Sequence, residues 1–146
     1  MIATGKAQWA KVLPHQLVTN DSYKDFNFWS LDLEVTDKEK DRLKKEGLRA
    51  WHRNGEEETN IFKFIRKETS AKGKELGAPK IVDATKNLWA DGEIGNGSLV
   101  KISFFTYEHP SSAKVGLGKS LNAVQVITHV PYEGGAGQSS SFFSRL

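Results

Sequence analysis

Apolar and polar residues alternate along several stretches of this chain and break off between them. Across Phe26–Val35, Trp29, Leu31, Leu33 and Val35 share one face, and Ser30, Asp32 and Glu34 share the other. That two-residue period is the mark of a half-buried strand. Phe28 falls on the polar side, where it would be exposed. Leu99–Tyr107 repeats the pattern, with Val100, Ile102 and Phe104 against Lys101, Ser103, Phe105 and Tyr107. Thr4–Val12 alternates imperfectly, with Trp9 on one side and Ala10 and Val12 on the other, and Pro14 ends it. Trp9 and Trp29 can each join an apolar face and are expected in the core. Leu121–Val130 is apolar on both faces, as in a strand that is central or covered. Ile81-Val82-Asp83 reads as a short buried strand.

One segment changes period. Thr36 and Glu39 form a capping box, Gly47 supplies a stop, and the ten residues between Thr36 and Gly47 carry a single apolar side chain, Leu43. This predicts a short surface helix pinned by Leu43 and Leu48. Asn54-Gly55 reads as a turn, Pro110–Gly118 as a mobile loop and Gly134 onward as a flexible Gly/Ser-rich tail. No internal repeat is present. About five strands, one short helix and long basic loops predict an all-β chain, a barrel or sandwich. In an OB-type Greek-key barrel of about five strands, one face and its loops bind oligonucleotides.

The strand Ile61-Phe62-Lys63-Phe64-Ile65-Arg66-Lys67 mixes aromatic and basic residues, which neither a core strand nor a solvent strand requires. Rings stack on bases and cations neutralise phosphates, so the mixture suits a single-stranded nucleic acid. Its two faces stay open at this point. With Ile61 and Ile65 inward, Phe62, Phe64 and Arg66 form the outer row. With Phe62 and Phe64 inward, Lys63 and Lys67 are the outward cations.

Charge sharpens the picture only locally. The 146 residues suit one domain, and 38% hydrophobic with 27% charged residues marks a globular chain. The net charge of +3 is modest. Between Ile61 and Lys86, however, Lys63, Arg66, Lys67, Lys72, Lys74, Lys80 and Lys86 face only Glu68, Glu75 and Asp83. Such a local excess is the footprint of a binding stripe. Cysteine is absent, which removes disulfides, thiolate metal sites and cysteine nucleophiles and fits an intracellular protein. No apolar run approaches the ~20 residues of a membrane span.

Catalytic patterns are missing. His15, His52, His109 and His129 are scattered, without the spacing that metals require. Gly118-Lys119-Ser120 resembles the end of a phosphate loop, but Ala113 stands where that loop needs glycine, so a turn is expected. Asp32, Glu34, Asp83, Asp91 and Glu93 could supply a nuclease with carboxylates. No lysine, though, has an acid two positions before it, so the D/E-x-K element is absent. The expectation is a non-enzymatic protein without cofactor or metal. The rivals are a metal-dependent nuclease or junction resolvase and a protein-interaction module.

The candidate stacking platforms are Trp51, Phe62, Phe64, Phe105 and Tyr107. The candidate phosphate partners are Arg49, Arg53, Lys63, Arg66, Lys67, Lys72, Lys74 and Lys101. Four further segments carry a family resemblance. They are Gly5-Lys6-Ala7-Gln8-Trp9-Ala10-Lys11-Val12, Phe62–Lys67, the turn Ile94-Gly95-Asn96-Gly97-Ser98 and Leu121-Asn122-Ala123-Val124-Gln125-Val126. In order and spacing, from about Thr4 to Tyr132, the chain resembles the single-stranded DNA-binding proteins of tailed bacteriophages. The resemblance implies an OB fold over residues 1–133 and sequence-independent binding of single-stranded DNA in phage replication and recombination. It also implies the cytoplasm of the bacterial host as location and contacts with replication proteins such as polymerase and helicase-primase. Homodimerisation belongs to the same set of expectations. In that family an acidic tail ending in an aromatic residue often makes such contacts. Here no acid follows Glu133, and the chain ends Phe142-Phe143-Ser144-Arg145-Leu146.

Overall fold

The computed structural model describes residues 1–19, 26–53, 57–70, 72–108 and 116–131. Its elements are β1 (Ile2–Lys11), β2 (Phe28–Glu34), α1 (Asp37–Lys45), β3 (His52–Arg53), β4 (Glu57–Glu58), β5 (Ile61–Lys67), β6 (Lys80–Val82), β7 (Leu99–Tyr107) and β8 (Gly118–Thr128). The sheet runs β5-β2-β1-β7-β8-β6, and a parallel pairing of Ile65 with Ser120 joins β5 to β8. That contact closes β1, β2, β5, β7 and β8 into a five-strand barrel of the OB type. β8 is bonded along both edges, to β7 on one side and to β5 and then β6 on the other. It is thus a central strand: Leu121, Val124 and Val126 are buried, whereas Asn122, Ala123 and Gln125 are half-buried and Ile127 is exposed, so one face is covered and not both.

Alternation fills the barrel. Ala3, Ala7, Leu31, Leu33, Phe62, Phe64, Val100, Ile102, Phe104, Leu121 and Val124 are fully buried, and Phe64 packs on Phe104 with centroids 4.8 Å apart. Burying the valine, leucine, isoleucine and phenylalanine side chains among them supplies about 1.5–3 kcal/mol each. The core settles the open question of β5. Phe62 and Phe64 point inward, so Lys63, Ile65 and Lys67 point out.

The helix follows its caps. Thr36 Oγ1 accepts the Glu39 N–H at 3.3 Å, Leu43 is fully buried, and Gly47 takes φ +94° just past the end. Phe28 departs from expectation. It is buried on the outer side of β2, because Val18 bridges to its backbone and Phe26 meets its ring edge-on at 5.9 Å. Trp9 departs in the opposite direction. It is 70% exposed, whereas Trp29 is buried with its indole N–H donating to the Leu13 carbonyl. Gly118-Lys119-Ser120 is strand, not turn: it opens β8. The Asn54-Gly55 turn, most of the 110–118 loop and the tail from Gly134 lie outside the described residues. Among the described residues no helix is long and apolar enough to cross a membrane.

Candidate nucleic-acid interface

The outward side chains of the barrel line up across strands. Lys11 pairs with Ser30, Ser30 with Ile65, Ile65 with Ser120, and Ser120 with Phe105. One lateral row therefore crosses five strands, roughly 19 Å of contour at about 4.8 Å per step. Its middle is low, since Ser30 and Ser120 are small. Phe105 rises at one end, 59% exposed, because the inward side of β7 is already taken by Val100, Ile102 and Phe104.

Tyr107 follows Phe105 on the same face, 43% exposed and opposite Gly118. Its ring lies so close over Gly118 that a Cβ there would overlap ring carbons. The absent side chain lets the ring lie flat on β8. Behind it a small depression of about 180 Å³ is lined by Ile65, Lys67, Leu76, Tyr107, Lys119 and Ser120. Lys119 reaches toward the barrel end, its ammonium 6.0 Å from the Phe64 ring. Burial pulls that ammonium below the ordinary lysine value.

Cations beside the row rest on rings. Lys67 lies 4.6 Å from the Phe26 centroid and Lys63 5.8 Å from that of Trp51. Lys63 also meets Asp32, its cross-strand neighbour, at 3.3 Å. Burial raises the Asp32 carboxyl, and Lys63 pulls it partly back. Trp51 is 39% exposed and is anchored by backbone, its N–H to Ile61 and its carbonyl from Thr59. Lys67 and Tyr107 thus line one small depression over β5, β8 and β7, with Phe105 two residues from Tyr107 on β7 and the Lys63–Trp51 pair on the β5 side.

The other expected site residues fall elsewhere. Phe62 and Phe64 are core and cannot stack on a base, because both rings have no exposed surface. Arg66 is a structural tie: its guanidinium donates to the carbonyls of Gly77 (2.7 Å), Leu76 (2.7 Å) and Leu121 (3.1 Å). It thereby fastens the loop after β5 to β8, with all three guanidinium nitrogens bonded to backbone carbonyls. Lys72 and Lys74 are exposed near the Ser70–Gly73 turn of that loop. Arg49 is exposed beside Gly116 and reaches His52 Nδ1 at 3.4 Å. Arg53 lies in β3, paired with Glu57. Lys101 lies four residues before Phe105 on β7, about 13 Å along the strand. There it lines a separate depression with Lys80, Lys86 and Ile2. Among the described residues no group of three His, Asp or Glu side chains is placed to hold a metal ion.

Sequence reasoning missed Ser30, Ile65 and Ser120 as groove residues. Only the cross-strand register brings them together. It also misplaced Trp9. β1 carries a bulge between Gln8 and Lys11, and Trp9 sits in it at φ +50°. A bulky side chain in the left-handed region costs on the order of 1–3 kcal/mol. The broken alternation at Trp9-Ala10 was the visible sign of that bulge.

No protein-family model matches the chain, and no curated protein matches it. Solved structures do. Gp2.5, a single-stranded DNA-binding protein encoded by bacteriophage T7, aligns with TM-score 0.60 and 18% identity over 92% of this chain and 94% of that one. The single-stranded DNA-binding protein from bacteriophage Enc34, in complex with ssDNA, aligns with TM-score 0.53 and 11% identity over 90% of this chain and 87% of that one. A second structure of the Enc34 protein gives TM-score 0.54 and 10% identity, over 97% and 87%. At these identities what is shared is the fold, an OB-type barrel spanning nearly the whole chain.

Proposed function

We propose that the protein binds single-stranded DNA without sequence preference, in the groove over β5, β8 and β7. The observation that carries this reading is the placement of Phe105, Tyr107 and Trp51 beside Lys63 and Lys67 around a low floor of Ser30, Ile65 and Ser120. Exposed rings on a rigid barrel accept any base, since every base has a stacking face. The lysines meet the phosphates between bases, and Arg49, Lys72 and Lys74 extend the positive rim. Duplex bases are already stacked on one another, so the groove favours the single strand. The fold shared with two phage single-stranded DNA-binding proteins supports the reading. A part in phage replication or recombination, in the host cytoplasm and with replication proteins as partners, follows from the same reading.

Anisotropy of a labelled oligo-dT at two salt concentrations tests it. The expected result is binding that weakens steeply with salt and is outcompeted by single strand far better than by duplex. Absence of binding, or an affinity indifferent to salt, overturns it.

A further inference from the structure

Trp9 is the most exposed aromatic side chain among the described residues, and the fold holds it there. Its backbone sits at φ +50° in the β1 bulge, a conformation a tryptophan leaves readily unless something fixes it. The fixing group is Asn96, whose Oδ1 accepts the Trp9 N–H at 2.7 Å. Asn96 is itself immobilised on both sides. The Gly95 N–H donates to the Val130 carbonyl at 2.7 Å, and the Gly97 N–H to the Ala7 carbonyl at 2.8 Å. The buried Ser98 hydroxyl donates to the Gly95 carbonyl and accepts the Val130 N–H, both at 2.8 Å. Gly95 has no room for a Cβ against the carbonyls of Val130 and Pro131. A turn built so tightly keeps the bulge, and the bulge keeps the indole in solvent.

The position of Trp9 relative to the groove gives it a use. Lys11, at the end of the same bulge, is the β1 end of the lateral row that runs through Ser30, Ile65 and Ser120 to Phe105. Trp9 lines a depression with Lys11, His15 and Gln16, in which Glu93 is engaged by His15 at 3.5 Å and by Gln16 at 3.2 Å. We propose that Trp9 is a second stacking platform, which takes a base beyond the groove while Lys11 meets the intervening backbone. The single strand then crosses the strands from Phe105 and Tyr107 toward β1, and the site has an aromatic at each end. This rests on the proposed function above.

The test uses the full chain and labelled oligo-dT of graded length, from about 4 to 16 nucleotides. Wild-type affinity is expected to step up once the strand is long enough to reach Trp9. Trp9→Ala should abolish that step, a loss of about 5- to 150-fold on long oligonucleotides as for one stacked base, and leave the shortest unaffected. Trp9→Phe should retain most of the step. Trp9→Gly, which suits a positive φ, should match or exceed wild-type thermal stability and bind like Trp9→Ala, which separates binding from folding. In a Trp51→Phe background, long oligo-dT should quench the remaining exposed tryptophan and short oligo-dT should not. Wild-type length dependence in Trp9→Ala overturns this inference alone, as does an equal loss at every length. A wild type that binds no length overturns the proposed function and this inference with it.

Discussion

Two sides of the barrel carry lysines and use them differently. On the side of α1 three cations meet carboxylates. Lys40 and Lys44 both reach Glu58 at 2.9 Å, and Arg42 reaches Glu39 at 2.6 Å. Glu34, Glu57 and Glu58 line the broad depression beside them. Over the groove, Lys67 lies on the Phe26 ring, and Lys63 divides itself between Trp51 and Asp32. The net charge conceals this difference. A carboxylate partly neutralises the ammonium it holds, whereas a ring leaves the full charge and the remaining donors available to a phosphate. Pairing, not count, therefore separates a solvated face from a binding face.

The largest expected effect tests the inside of β5 against its outside. Phe64→Ala removes a fully buried ring and should cost about 3–5 kcal/mol in chemical denaturation. Arg66→Ala should lower stability by about 1.5–3 kcal/mol through its lost charged hydrogen bonds. It should leave the slope of log affinity against log salt unchanged in whatever remains folded. A fall in that slope would place Arg66 on the phosphates instead.

Effects on binding come next. Tyr107→Ala should weaken oligo-dT binding by about 1–3 kcal/mol, the worth of one stacked base, with little change in melting temperature. Gly118→Ala should do the same from the opposite strand by pushing the Tyr107 ring off β8. Lys67→Ala should reduce the salt slope by about 0.7, as for one lost single-strand phosphate contact. Lys44→Ala, on the paired side, should not change it. Equal slopes for the two would erase the contrast between the sides.

The smallest effect belongs to Glu58. Hydrogen bonds from Lys40, then Lys44, hold its carboxyl down to about 2, against an ordinary value of 4.5. A depressed carboxylate contributes its stability above the unfolded value and loses it as pH falls through the folded one. Wild type should therefore lose stability relative to Glu58→Gln as pH drops from about 4.5 toward about 2. Parallel acid-denaturation profiles of the two proteins would contradict this.

Most of the strands were legible because one face of each is buried, and burial writes a two-residue period. Ile61–Lys67 and Leu99–Tyr107 match the observed bounds of β5 and β7 for that reason. The same logic could not choose the inward face of β5. Isoleucine and phenylalanine are equally apolar, and only the space beside Phe104 decided for Phe64. Arg66 read as a phosphate ligand because a cation in a basic strand looks the same whether its partners are phosphates or carbonyls. The row from Lys11 to Phe105 is a product of register between distant segments. Trp9 needed a bulge whose only trace was a broken alternation.

The most direct test of the groove is a backbone amide NMR titration of the labelled protein with oligo-dT. The predicted shifts cluster at Trp51, Lys63, Ile65, Phe105, Tyr107, Gly118 and Ser120, and spare Glu34, Lys44 and Glu58. Shifts centred instead on Lys80, Lys86 and Lys101, or on the α1 side, with the groove residues unmoved, would contradict the account.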